Sequence, residues 1–131
     1  MAERLKLTGV VFSDLGRAAS FMAVDWVAAA MKDALGFAAY PGTLNVRLDT
    51  PEARALWSRV REGEGIPIAA GAGFCAARCF PALIEGNWRV AVILPEVPGY
   101  PADKLEIVAA VRLKDALQLA DGARLTIEFG D

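Results

Sequence analysis

The sequence contains no histidine and only two cysteines, and this scarcity excludes several classes of site. Zinc centres are built mainly from Cys and His ligands, and Ser-His-Asp triads need an imidazole as their base. Cys75 and Cys79 lie in a strand-like run, where their Cα atoms would be about 13 Å apart, whereas a disulfide needs about 7 Å or less. We therefore expect neither a zinc site nor a disulfide, and we interpret both cysteines as small buried side chains.

Long apolar runs and an excess of charge of one sign are also missing. The most apolar region, 65–84, is interrupted by Pro67, Arg78 and Pro81, so it is a poor membrane helix and is more typical of buried strands. The net charge of −2 argues against non-specific binding to nucleic acid. The first residues, Met1–Lys6, are charged and unlike a secretory signal. We expect a cytoplasmic protein without membrane or nucleic-acid partners, and the sequence does not indicate its oligomeric state.

Familiar phosphate-binding signatures are absent as well. The sequence contains no G-x-x-x-x-G-K-[ST] loop, no G-x-G-x-x-G and no protein-kinase catalytic-loop pattern. If this protein handles phosphate, it does so on a different fold.

The composition favours one domain with a mainly β architecture. At 131 residues, of which 55% are hydrophobic, the chain can bury a core without metal or disulfide, and we expect a single domain over residues 1–131. Gly9 is a candidate bulge, and Glu85-Gly86-Asn87 is a candidate hairpin turn. Strands are predicted at 5–13, 46–48, 66–68, 73–80, 83–84, 88–94, 105–110 and 124–129, and helices at 22–35, after a capping Thr50, and at 112–119. This pattern predicts a compact α+β barrel with a few short helices.

The most informative stretch is Tyr40-Pro41-Gly42-Thr43-Leu44-Asn45, a tight turn that leads into a strand. On a strand, Thr43 and Asn45 point to one face with their Cα atoms about 7 Å apart. A hydroxyl and an amide oxygen at this spacing can converge on one Mg²⁺, but because both are neutral the ion would have to arrive with phosphates. The alternative is a turn followed by side chains that satisfy nearby backbone groups.

Two further stretches allow both a functional and a structural interpretation. Residues 13–20 could form a phosphate cradle in which backbone N–H groups and Arg17 face an anion, or an ordinary loop with a helix cap at Ser20. Glu106 is a carboxylate within an apolar strand. It could accept a proton or hydrogen bond from a substrate hydroxyl, or it could reach water at the rim of the barrel. Trp57 could be a stacking platform, but its helical spacing favours a place in the core.

Taken together, these stretches resemble the archaeal CTP-dependent riboflavin kinase family, a small six-stranded cradle-loop (RIFT-related) β-barrel. The resemblance runs from about Thr8 to Ile127. Its most specific piece is Leu35-Gly36-Phe37 followed by the Tyr40–Asn45 motif. The second piece comprises the segments 105–109, 112–114 and 119–122. Members often carry an N-terminal winged-helix domain, and we expect none within these residues.

The resemblance implies transfer of the γ-phosphate of CTP to the primary hydroxyl of riboflavin, which gives FMN and CDP. It implies Mg²⁺ ligation by Thr43 and Asn45, and flavin contacts at Glu106 and at the position of Pro98. Catalytic roles for Glu106, as the base, and for Arg17 are our own hypotheses. The resemblance also implies a nucleotide site made of two segments: Asp14, Leu15, Gly16, Arg17, Ala18 and Ala19 in the first loop, and Val111, Arg112, Leu113 and Lys114 in the second.

The sequence departs from the family pattern in both ligand-facing loops. The first loop in the family is rich in glycine, whereas here it is Asp14-Leu15-Gly16-Arg17-Ala18, so backbone approach to phosphates is harder and Asp14 would repel them. Arg17 could compensate as a direct phosphate ligand. The threonine that binds flavin in the family falls at Pro98, which has no hydroxyl. A kinase with a changed substrate, a non-catalytic nucleotide- or flavin-binding module, and a purely structural barrel remain as alternatives.

Overall fold

The computed structural model describes residues 5–13, 32–33, 36–38, 40, 43–63, 65–68, 77–96 and 99–130. Seven strands and two helices lie within these residues. The strands are β1 (Leu5–Phe12), β2 (Leu44–Arg47), β3 (Ile66–Ile68), β4 (Ala77–Ile84), β5 (Trp88–Pro95), β6 (Lys104–Ala109) and β7 (Arg124–Phe129), and the helices are α1 (Pro51–Arg61) and α2 (Leu113–Ala116). Lys32 and Asp33 are also helical, whereas the remainder of the helix predicted at 22–35 lies outside the described residues.

The strands close into an antiparallel barrel. Their order is β3-β4-β5-β6-β2-β1-β7, and an additional pairing of β4 with β7 closes the ring. The ring therefore contains six strands, with β3 attached to the outer edge of β4. Apolar residues alternate along β1 and β7, and one face of each strand is buried in a continuous core. The predicted class, a mainly β barrel with short helices, is confirmed.

Helix α1 begins and packs as its sequence predicts. The Thr50 hydroxyl accepts a hydrogen bond of 3.1 Å from the Ala53 N–H, and proline stands in the first turn. Trp57 is 1% exposed, and its ring lies 5.5 Å from that of Phe80 and 5.8 Å from that of Phe129. Trp57 is thus a core residue, which confirms the position that its helical spacing favours over the alternative of a stacking platform.

Two predictions about β-structure need correction. Strand β4 runs without interruption through Pro81, whereas the sequence predicted two pieces. One edge of β4 pairs with β3 through residues 77–79 and with β7 through residues 82–84. Pro81 lies between these two segments, so it has no partner strand at this edge to which an N–H would have to donate. Gly9 pairs in regular register with Leu125 and is not a bulge. The glycine instead allows the side chain of Val46 to pack against the backbone of β1, because a Cβ at position 9 would lie 2.3 Å from Cγ1 of Val46.

Turns and caps set the remaining boundaries. Glu85 (φ 52°) and Gly86 (φ 71°) form the predicted hairpin turn, with both central residues left-handed as in a type I′ turn. Gly36 (φ 77°) donates its N–H to the Lys32 carbonyl at 2.8 Å, as expected of a C-terminal cap. Helix α2 is shorter than predicted, and a left-handed residue, Gln118 (φ 52°), follows it.

Antiparallel pairing brings three chain segments to one end of the barrel. The last residue of β1, Phe12, pairs with Asn45 at the start of β2. The start of β2 also faces the carboxyl-terminal half of β6, in which Leu44 pairs with Ile107. The end of β1, the start of β2 and the end of β6 therefore lie together at this end. Among the described residues, no helix has both the length and the apolar character that crossing a membrane requires.

Candidate functional site

The two residues of the predicted magnesium site lie on the outer face of the barrel. Leu44 and Val46 point into the core, so Thr43 and Asn45, which alternate with them, point outward, and both are half-buried. Asn45 is the direct register partner of Glu106 on β6. Glu106 alternates with the buried Leu105 and Ile107 and therefore shares this outer face. Strand register alone brings the three polar side chains together.

Two hydroxyl groups hold the carboxylate of Glu106. The Tyr100 hydroxyl donates to Oε2 at 2.5 Å, and the Thr43 hydroxyl donates to Oε1 at 3.4 Å. The shorter contact fixes one oxygen firmly, whereas the longer one leaves Oε1 the more weakly engaged. Because a hydroxyl has one proton and two lone pairs, Thr43 keeps acceptor capacity while it donates to Glu106.

Asn45 carries a buried oxygen with no hydrogen-bond partner. Its Oδ1 is one of only two such side-chain atoms among the described residues. An unpaired buried carbonyl costs free energy, and it lies on the same face as the Thr43 hydroxyl. Neutral hard oxygens of this kind fit Mg²⁺ that keeps other oxygen ligands, such as phosphates. In the described part of the chain, no three His, Cys, Asp or Glu residues form a metal cluster, so such ligands would be required.

A second polar cluster joins the end of β1 to the loop after β6. Lys114 Nζ donates to Ser13 Oγ at 3.0 Å, and Ser13 Oγ donates to Oδ1 of Asp121 at 2.9 Å. The hydrogen bond from Ser13, followed by the ammonium of Lys114, holds the pKa of Asp121 below its ordinary value. The start of the predicted phosphate loop thus lies beside the second predicted nucleotide segment.

Comparison with known proteins identifies the family to which this chain belongs. The family model for CTP-dependent riboflavin kinase, described as domain of unknown function DUF120, matches residues 11–129. This chain belongs to that family. The match includes both polar clusters, the last two residues of β1 and all of β2 to β7.

Several relatives are named riboflavin kinase. The protein from Methanosarcina mazei is 34% identical over 97% of this chain and 57% of its own length. The protein from Pyrobaculum arsenaticum is 35% identical over 95% of this chain and 60% of its own length. The protein from Aeropyrum pernix is 34% identical, with 94% of each chain covered. This chain therefore spans little more than half of the first two relatives and nearly all of the third.

The structure describes only part of the site predicted for this family member. It brings Thr43 and Asn45 together with Glu106. Val111 is exposed, whereas Leu113 is buried in the core. The Arg112 guanidinium pairs with Asp115 at 2.6 Å. These residues lie outside the described part of the chain: Asp14, Leu15, Gly16, Arg17, Ala18, Ala19, Pro41, Gly42 and Pro98.

Tyr100 and Asp121 were not among the predicted site residues, and Ser13 was included only as the first residue of the candidate phosphate loop. Tyr100 reaches Glu106 from the loop between β5 and β6, and Ser13 and Asp121 meet Lys114 across more than a hundred positions and seven positions, respectively. The contact of Ser13 with Lys114 depends on how the barrel closes. The contacts of Tyr100 and Asp121 depend on the paths of loops, which local sequence does not indicate. The only available signal for Asp121 was its place in the motif at 119–122, which the resemblance already included.

Proposed function

We propose that this chain is a Mg²⁺-dependent kinase that transfers the γ-phosphate of CTP to the primary hydroxyl of riboflavin or a related small alcohol. The observation that carries the proposal is the unpartnered Oδ1 of Asn45 beside Thr43 and Glu106. Membership of the family supports the same substrates and the same direction of transfer. Phosphoryl transfer needs positioning and charge neutralisation more than covalent chemistry, which suits a site of this composition.

The outer-face cluster consists of Thr43, Asn45, Glu106 and Tyr100, and each of these residues has a distinct role in the proposal. The oxygens of Thr43 and Asn45 bind Mg²⁺ together with nucleotide phosphates, and the ion supplies neutralisation of charge on the transferred group. Glu106 accepts the proton of the substrate hydroxyl at Oε1, the oxygen with the longer 3.4 Å contact. Tyr100 holds Oε2 and thereby fixes the direction of the carboxylate.

The nucleotide is proposed to lie between the loop that follows β1 and the loop that follows β6. Lys114 is held beside Ser13, where its ammonium can reach phosphates from the second loop. Arg17 is proposed as a further phosphate ligand that offsets the repulsion by Asp14.

A thermal-shift screen tests binding first. The ligands are CTP, ATP, GTP, CDP, riboflavin and FMN, each with and without Mg²⁺. A ligand that binds only the folded state adds about 2.7 kcal/mol of stability at a hundredfold excess over its Kd. The proposal predicts a Mg²⁺-dependent shift with CTP and a shift with riboflavin. If neither ligand produces a shift at saturating concentration, the proposal is wrong.

Turnover is tested by formation of FMN from riboflavin and CTP. The proton-acceptor role predicts that Glu106→Gln lowers kcat, since the amide keeps the size of the side chain but cannot take up the proton. Unchanged turnover with intact riboflavin affinity would dismiss this role. Binding of CTP and riboflavin by the unaltered protein without any FMN formation would instead support a non-catalytic binding module on the same barrel.

A further inference from the structure

Arg47 lies on the face that carries Thr43 and Asn45, but the proposed reaction has so far left it without a role. The buried Val46 separates it from Asn45 along β2. Residues two positions apart on a strand point to the same face, with Cα atoms about 7 Å apart. Arg47 is exposed, and its side chain is long enough to span that distance.

The guanidinium group of Arg47 lies over the ring of Phe12 on the neighbouring strand. Its Cζ lies 4.8 Å from the centroid of the Phe12 ring, and Phe12 is the direct register partner of Asn45 on β1. Stacking on an aromatic ring restrains a guanidinium while its N–H groups remain available at the edges. The positive charge is therefore held next to the row that contains the candidate magnesium ligands.

The charges around Arg47 favour an anionic ligand. The register partner of Arg47 on β6 is another cation, Lys104, whose Nζ lies 5.7 Å from the centroid of the Tyr100 ring. Among the described residues, no carboxylate lies within ion-pair distance of Arg47. Asp49 is bound by Arg124 at 2.9 Å, and Glu106 accepts its contacts from hydroxyl groups. A cation in this position is compensated when an anion binds.

We infer that Arg47 binds the terminal phosphate of the nucleoside triphosphate and neutralises charge on the phosphoryl group that is transferred. The inference rests on the proposed kinase function and assigns a specific contact within it. The planar guanidinium matches phosphate oxygens with two parallel hydrogen bonds, which a lysine ammonium does not reproduce. Arg47 thus discriminates between triphosphate and diphosphate, so that CTP binds in preference to the product CDP.

Calorimetric titration with CTP and with CDP tests the inference, in Mg²⁺ and without an acceptor so that no transfer occurs. The variants are Arg47→Gln, which removes the charge, Arg47→Lys, which keeps it, and Arg59→Gln, a control with the same charge change at an exposed position of α1. We expect Arg47→Gln to weaken CTP binding by about tenfold or more and CDP binding by less than about threefold. Arg47→Lys should lie between, and Arg59→Gln should bind like the unaltered protein.

The outcomes separate this inference from the proposed function. If the unaltered protein binds CTP, and Arg47→Gln binds CTP and CDP with the same affinities as the unaltered protein, Arg47 makes no phosphate contact and the inference is overturned. An equal loss for CTP and CDP also overturns it, because the contact would not involve the terminal phosphate. If the unaltered protein binds neither nucleotide, the proposed function fails first and the inference fails with it. A melting temperature for Arg47→Gln close to that of Arg59→Gln shows that the variant is folded.

Discussion

Replacing Asn45 by leucine should stabilise the ligand-free protein and abolish Mg²⁺-dependent binding of CTP. The Oδ1 atom of Asn45 is buried without a partner, and an unsatisfied buried polar atom costs about 1–3 kcal/mol. Because the residue as a whole is only half-buried, we take the lower end, about 1 kcal/mol, which corresponds to a rise in Tm of roughly 4 °C for a chain of this length. The variant has no oxygen left to bind the ion at this position.

Asn45→Asp should have the opposite effects: it should lower the stability of the ligand-free protein and strengthen the binding of Mg²⁺. A carboxylate at this position lies directly opposite Glu106 on β6, and like charges in that arrangement destabilise the sheet by about 0.2–1 kcal/mol. The same carboxylate is a stronger ligand for Mg²⁺ than an amide oxygen. The ligand-free variant should therefore melt at a lower temperature than the unaltered protein and gain more stability from added MgCl₂.

Thermal melting of the three proteins, with and without MgCl₂ and CTP, measures both effects in one experiment. The reasoning is refuted if Asn45→Leu melts below the unaltered protein in the absence of ligand, since the buried oxygen would then have a partner that the leucine removes. It is also refuted if Asn45→Leu retains the full shift with Mg²⁺ and CTP.

Three further predictions concern other parts of the barrel. Gly9→Ala should lower the free energy of unfolding by roughly 1–3 kcal/mol, because the new Cβ would lie 2.3 Å from Val46 Cγ1; unchanged stability in urea would contradict this. Burial raises the pKa of the Cys79 thiol from 9.0 to about 12. In a Cys75→Ser background, the folded protein should therefore resist thiol reagents at pH 9, and its free energy of unfolding should fall as the pH rises from 9 towards 12, because the thiol ionises first in the unfolded state. Rapid labelling of the folded protein would contradict this by showing that the thiol is accessible. Tyr100→Phe removes a 2.5 Å hydrogen bond and should cost about 1 kcal/mol of stability and raise the KM for the acceptor; an unchanged KM would dismiss its positioning role.

Local chemistry made much of the barrel predictable. The Thr50 cap, the Glu85-Gly86 turn and the alternating strand Arg124–Phe129 depend on neighbouring residues alone, and all three are as predicted. Pro81 was misinterpreted because the effect of proline depends on whether a ladder partner needs its N–H. That partner is decided by how β3 and β7 divide the edge of β4, which is a property of the closed sheet.

The candidate site was predictable along one strand and not across strands. The spacing of Thr43 and Asn45 indicated a shared face, and their side chains do share one. The contact of Tyr100 with Glu106 joins the loop after β5 to the middle of β6, so it depends on the path of a loop that the sequence does not specify. Ser13 and Lys114 are 101 positions apart and meet only because β1 and β6 both flank β2.

The division of the site between strands and loops explains how ligand-facing loops can change while the proposed phosphoryl-transfer chemistry is kept. Asn45 faces Glu106 through strand register, and a slip of one residue would turn Leu44 and Val46 out of the core. The outer-face cluster is therefore retained for as long as the barrel folds. Residues 14–19 and Pro98 are not among the paired residues of these strands, so we expect substitutions there to alter which nucleotide or alcohol the proposed kinase binds without disturbing this register. A changed acceptor is thus easier to reach for this barrel than a changed metal site.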